Sequence, residues 1–170
     1  MKKLILSAII AIATLTGVNA QTYKWWAGGR TNLWTGDHKS TIIVAPEVGY
    51  LISPKFTIAA SVGIHSVWYK TPSKSVTGLV LNPYIRYVAF QKGMLLGFVD
   101  GGVDVGLGDF EGFQAGFKPG VALLLTDRFT VATQFGFLGY SDGKGLGYRE
   151  QGFGLDFSGY CSTIAFFYSF

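Results

Sequence analysis

The side chains best suited to chemistry are few. The chain has two histidines, His38 and His65, and one cysteine, Cys161. A hydrolytic serine needs a base within hydrogen-bond reach. His65 is followed by Ser66, but adjacent residues of a strand point to opposite faces. Ser61 shares a face with His65 yet lies about 13 Å away along an extended strand. His38 sits in a polar stretch beside Asp37 and Lys39. These spacings assemble no nucleophile–base pair, and we expect no enzyme. Asp100 and Asp104 fall on one face of a strand, with Asp109 and Glu111 beyond. Calcium would need several such carboxylates to converge on one ion. Ion pairs with Arg86 and Lys118 on neighbouring strands are the simpler expectation, so no metal site is expected. Gly101-Gly102 and the glycine run at 143–147 precede no helix that could cap a phosphate, and no cofactor is implied. A lone cysteine cannot close an internal disulfide.

Charged residues make up 14% of the 170-residue chain, hydrophobic residues 49% and aromatic residues 16%, with 24 glycines. An ordinary soluble domain carries about 25% charge. A domain of this size needs charge to cover its surface, and this chain lacks it. The mean hydropathy is +0.33. Yet no apolar stretch after residue 20 approaches the roughly twenty residues of a membrane helix. A transmembrane β-barrel reconciles the two facts, because only alternate residues need face lipid.

The first twenty residues read as a secretory signal peptide. Met1-Lys2-Lys3 is a basic start, an apolar run follows from Leu4 to Leu15, and Val18 and Ala20 are the small residues before a cleavage point. Residues 21–170 then form one domain. Removing Lys2 and Lys3 leaves 12 basic against 10 acidic residues, with no basic cluster, so nucleic acid is not an expected partner.

Strand signals alternate with turn signals along that domain. They place eight strands at about 22–34, 41–52, 56–69, 78–91, 94–107, 113–125, 129–140 and 153–170. Tight turns are expected at 53–55, 91–93 and 127–128. Longer polar loops are expected at 35–40, 70–77, 108–112 and 141–151. Short turns alternating with long loops suit an outer-membrane barrel. Pro46, Pro83 and Pro119 recur at one-hairpin spacing. Proline donates nothing to a ladder, so each predicts a bulge or a missing ladder bond at similar depth.

Parity divides every strand into two faces. One carries Val44, Val48, Phe56, Val62, Phe117, Phe129, Phe135 and Phe137 and is almost free of charge. The other carries Gly, Ser and Thr with Arg30, Glu47, Arg86, Asp100, Asp104 and Lys118. A solvated surface would be rich in long Lys and Glu. A face of small residues with a few charges of both signs suits the narrow interior of an eight-stranded barrel, so the polar face goes in. Counting from the turns puts Arg86 opposite about Phe98 and Lys118 opposite about Gly102, so the charges should meet and close the lumen.

Ile164, Phe166, Tyr168 and Phe170 alternate to the last residue. Together with Trp25-Trp26 and the repeated proline motifs at 45–50 and 82–87, this series resembles the small outer-membrane β-barrel domain family, the porin-family or OmpX-like barrels. The resemblance covers residues 21–170. It implies an all-β, eight-stranded antiparallel up-and-down barrel in the outer membrane of a Gram-negative-type cell. Lipid and, during biogenesis, periplasmic chaperones and barrel-assembly machinery are the implied partners, and a monomer the implied state. The four aromatic or aliphatic residues of the series would be the signal which that machinery reads. The expected role is structural or interactive, through four short surface loops. A small solute or ion channel is the first alternative, and a lipid-modifying enzyme the second.

Overall fold

The computed structural model describes residues 23–70, 73–142, 151–157 and 163–170. Residues 1–20, read above as a signal peptide, Cys161 and the glycine run at 143–147 lie outside them. Ten strands follow in order: β1 Trp25–Thr35, β2 Lys39–Ser53, β3 Phe56–Lys70, β4 Ser73–Lys92, β5 Leu95–Gly108, β6 Gly112–Leu124, β7 Phe129–Gln134, β8 Phe137–Ser141, β9 Gly152–Asp156 and β10 Thr163–Ser169.

Eight of them close an antiparallel barrel. β1 to β7 pair in sequence order, β7 pairs with β10, and β10 returns to β1 through Trp26↔Ser169 to Thr31↔Ile164. Strands β8 and β9 lie outside this ring: β8 pairs with the outer half of β6, and β9 with β8. The seventh and eighth strands read from the sequence, 129–140 and 153–170, are therefore each divided in two.

The physical cause of the first division is visible in the register. Gly120 faces Gln134 on β7, and Phe117 faces Leu138 on β8. Residues 118–119 thus oppose residues 135–137, one residue in excess. Pro119 has no N–H to offer that side, though its carbonyl accepts the Phe135 N–H at 2.9 Å. Gly136 absorbs the extra residue at φ +89°, a conformation that disfavours any side chain. The other two prolines interrupt their ladders without a shift. Pairing of β2 with β3 skips Ala45 and Pro46, and pairing of β4 with β5 skips Asn82 and Pro83. At the second gap the Asn82 side chain takes the Val103 carbonyl that Pro83 cannot serve, at 3.3 Å. All three prolines interrupt the strand's contact with the strand that follows, at the middle of the barrel.

The bulge also inverts parity. A one-residue insertion sends every later side chain to the other face. Phe137, expected outside, is buried at 2% exposure, while Leu138 and Tyr140 take the outer face. Elsewhere the outer set is as expected: Val44, Val48, Phe56, Val62, Phe117, Phe129 and Phe135 are all exposed.

The connections differ from expectation too. Lys70 pairs with Ser73, so most of the polar stretch at 70–77 is ladder rather than loop. Lys70, Ser73, Lys74, Ser75 and Thr77 are exposed, as suits a hairpin that projects beyond the barrel. With strands extended in this way the long–short alternation fades among the described residues: residues 36–38, 54–55, 93–94, 109–111 and 125–128 link successive strands, two to four residues each.

Candidate functional site: a charged layer across the lumen

Every strand of the ring sends a polar side chain to the middle of the lumen. Arg30 from β1 lies at the centre. Its Nη1 donates to Gln134 Oε1 at 3.1 Å, and its Nη2 to Ser61 Oγ at 2.7 Å and to Asn82 Oδ1. Its Nε is 2.7 Å from Glu47 Oε2, an ion contact without the direction of a hydrogen bond. Glu47 is itself held by the Tyr84 hydroxyl, which donates to Oε1. Tyr84 accepts in turn from Arg86 Nη2 at 3.4 Å.

Arg86 makes a two-pronged pair with Asp100, directly across the β4–β5 ladder: Nε to Oδ1 at 2.7 Å and Nη2 to Oδ2 at 2.8 Å. Gln134 donates to the same carboxylate and so links it back to Arg30. On the other side Asp104 accepts from Asn82, Gln114 and Lys118. Thr163 of β10 completes the circuit by donating to Gln134 Oε1 at 3.4 Å. The six expected charges, Arg30, Glu47, Arg86, Asp100, Asp104 and Lys118, are thus brought into one layer as three ion pairs. Three cations and three anions leave the layer formally neutral.

The pairing partners differ in detail from those counted from the turns. Arg86 faces Asp100 rather than Phe98, and Lys118 faces Asp100 rather than Gly102. The β4–β5 turn is centred on Gly93-Met94, and a further register shift lies between Val88 and Phe90. Lys118 reaches diagonally to Asp104, because Asp100 is already committed to Arg86.

Below this layer, toward the tight turns, lies an aromatic floor that the sequence reading missed. Trp26, Phe98 and Phe167 are buried there with Ala122, Ala132 and Ala165. Two of the rings lie flat on glycines of the next strand. A Cβ on Gly49 would sit 2.2 Å from the Trp26 ring, and one on Gly120 would sit 2.4 Å from Phe98. Arg86 spans the two layers. Its guanidinium carbon stands 4.0 Å from the Phe98 ring centre, 5.4 Å from Phe167 and 5.9 Å from Trp26, within range for cation–π attraction. Beneath the rings a cavity of about 120 Å³ opens toward the tight-turn end between Leu51, Pro54, Leu96 and Leu124. Above the charged layer Phe110, from the β5–β6 connection, is buried beside His65, ring centres 5.8 Å apart. Val67 and Val80 are buried as well.

The signal for the floor was present. Trp26 shares parity with Arg30, and Phe98 with Asp100, so each had to point inward once its neighbour did. Tyr84 likewise shares parity with Asn82 and Arg86.

The arrangement holds charges in place and fills space. The two serines weighed against His65 are already engaged: Ser61 accepts from Arg30, and Ser66 exchanges a hydrogen bond with Thr77 at 2.9 Å. Among the described residues no group of three or more His, Cys, Asp or Glu could hold a metal ion. Ile164, Phe166, Tyr168 and Phe170 are all exposed, the first three on the outer face of β10. No family model matches the chain, and no curated protein matches it.

Proposed function

We propose that the chain is an integral outer-membrane barrel, exported by the segment at 1–20, whose lumen is sealed by its own side chains and whose loops make its outside contacts. One observation carries the reading: the barrel is inverted relative to a soluble one. Its outer wall is a band of exposed Val, Ile, Leu and Phe, while its charges are paired inside. Soluble monomers rarely expose contiguous apolar surface beyond a few hundred Å². The closed ring of eight strands leaves no unpaired edge of its own in hydrocarbon, which permits such a wall to face lipid. Aromatic residues gather at the tight-turn rim, where Trp25 packs on Tyr50, Phe56 on Tyr87 and Phe129 on Phe166, in the manner of an interfacial girdle.

The layer of ion pairs favours a structural or surface-interaction role over a channel. Ions entering from either end meet a formally neutral network whose charges are paired with one another. The alternating series of β10, as in the barrels this chain resembles, serves as the signal for assembly. Separation of inner from outer membranes is the first test, and recovery in the inner-membrane or soluble fraction would overturn the location. Planar-bilayer recording is the second: we expect no steady conductance from the pure protein, and a single-sized open level would promote the channel instead. Removal of Phe170 should lower the amount assembled in cells more than it lowers the stability of refolded protein.

A further inference from the structure

The tight-turn end of the barrel carries a cation at each of its four corners. Lys24 precedes β1, Lys55 lies in the β2–β3 turn, Lys92 enters the β4–β5 turn and Arg128 leaves the β6–β7 turn, and all four are exposed. One acidic side chain in the connecting segments, Asp127, accompanies them. At the opposite end, among the described residues, the two signs nearly balance: Asp37, Asp109, Glu111 and Asp142 lie in the connections there, with Lys39 at the start of β2 and Lys70 and Lys74 on the projecting hairpin.

The four positions are structurally equivalent. At each corner a carbonyl accepts a backbone N–H from the adjoining strand: Lys24 from Leu51 at 2.7 Å, Lys55 from Val88 at 2.8 Å, Met94 from Leu124 at 2.8 Å and Arg128 from Ser169 at 2.8 Å. Three of these carbonyls belong to the cations themselves, and the fourth lies two residues past Lys92. The backbone that carries the cations therefore lies at one level around the ring. Arg128 is held further by its side chain. Its Nε donates to the Tyr23 hydroxyl at 2.8 Å and its Nη1 to the Tyr168 hydroxyl at 3.2 Å. Its guanidinium also stacks 4.7 Å from the Tyr23 ring centre, and the two hydroxyls help to hold its pKa above the ordinary arginine value. Nη2 donates to no described residue and remains for an outside acceptor. The girdle pairs Trp25–Tyr50 and Phe56–Tyr87 lie just inside the same level.

We propose that this collar binds the phosphates of anionic phospholipid headgroups in the leaflet at the tight-turn end, and so sets the barrel's depth and its preference for that leaflet. The inference rests on the membrane reading above. A ring of exposed cations just outside an apolar band matches a plane of phosphates just outside hydrocarbon. Lys and Arg near an anionic membrane surface are each attracted to it, within a Debye length. The loop end, where the two signs nearly balance, would gain no such attraction.

The test uses the full mature chain refolded in phosphatidylcholine vesicles containing a minority of phosphatidylglycerol. Spin-labelled versions of the two lipids report which one occupies the protein's boundary. We expect the wild type to favour phosphatidylglycerol by at least about threefold. That preference should fall toward unity in molar salt, where the Debye length shrinks to about 3 Å. The combined variant Lys24→Gln, Lys55→Gln, Lys92→Gln, Arg128→Gln should lose it, whereas Lys70→Gln with Lys74→Gln should keep it. Should the fourfold variant fail to fold, the four single variants and the salt titration of the wild type carry the same decision. A folded wild type with no preference, or one insensitive to salt, overturns the collar and leaves the membrane reading intact. Failure to fold into vesicles of any composition would overturn the membrane reading itself.

Discussion

The charged layer and the aromatic floor occupy adjacent slices of one lumen, yet they are held by different physics. The layer depends on directed contacts. Each carboxylate has named donors, and removing one partner strands another in a place from which water is excluded. The floor depends on shape, with large rings laid where the next strand has no side chain. The first arrangement is intolerant of lost charge, and the second of added volume. Arg86 belongs to both, paired with Asp100 above and stacked on Phe98 below.

That dual membership predicts the largest effect. Arg86→Ala leaves Asp100 buried with only Gln134 to satisfy it and also removes the cation from the rings. Breaking a buried pair by removing one partner costs about 3–5 kcal/mol. Urea unfolding of the refolded barrel in detergent measures it, and a loss below about 1 kcal/mol would show that the layer contributes little. The outer wall supplies the next effect. Val62→Arg should cost about 2–4 kcal/mol in a bilayer, and Ser61→Arg on the inner face should differ from it. Equal tolerance of the two would contradict the parity of β3. Lys118→Ala should cost less than Arg86→Ala, because Asp104 keeps its bonds from Asn82 and Gln114; a charged hydrogen bond contributes about 1.5–3 kcal/mol. For the floor, Gly49→Ala forces a methyl against Trp26 and should cost about 1–3 kcal/mol. Pairing it with Trp26→Leu should recover part of that loss, which separates overpacking from a backbone effect. A double variant no better than the single would place the cost in the backbone.

Most of the wall and the layer could be read from period-two alternation alone. Val62 and Ser61, or Val99 and Asp100, differ by one position and so must part company across the sheet. What alternation cannot carry is a break in its own count. Nothing in the composition around Gly136 announces a bulge, so Phe137 was assigned to the wrong face, although Pro119 marked the partner strand as unable to donate there. The shift between Val88 and Phe90, with a turn centred on Gly93-Met94, moved Arg86 by two positions relative to β5 in the same way. The stretch at 70–77 misled for another reason. Beyond the apolar band both faces of a hairpin are polar, and a wet ladder has the composition of a loop.

Arg30 has a consequence in time as well as in space. Its bond to Gln134 spans 104 residues of sequence, and those to Ser61 and Asn82 span 31 and 52. The early partners are available once β1 to β4 have formed a sheet, but Gln134 joins only when β10 brings the last part of the ring back to β1. Until that moment the charges of β1 to β6 are balanced in number, but Arg30 and Asp100 lack the neutral link that Gln134 supplies between them. Loop closure over such distances is slow, and its entropic cost falls before the contact repays it. The links through Gln134 therefore act as a latch: the pairs between adjacent strands form as the sheet grows, and the bonds across the lumen from Arg30 to Gln134 and from Thr163 to Gln134 engage when the circle closes. Folding of this barrel should show a late, single step, and its unfolding should begin at the seam between β1 and β10.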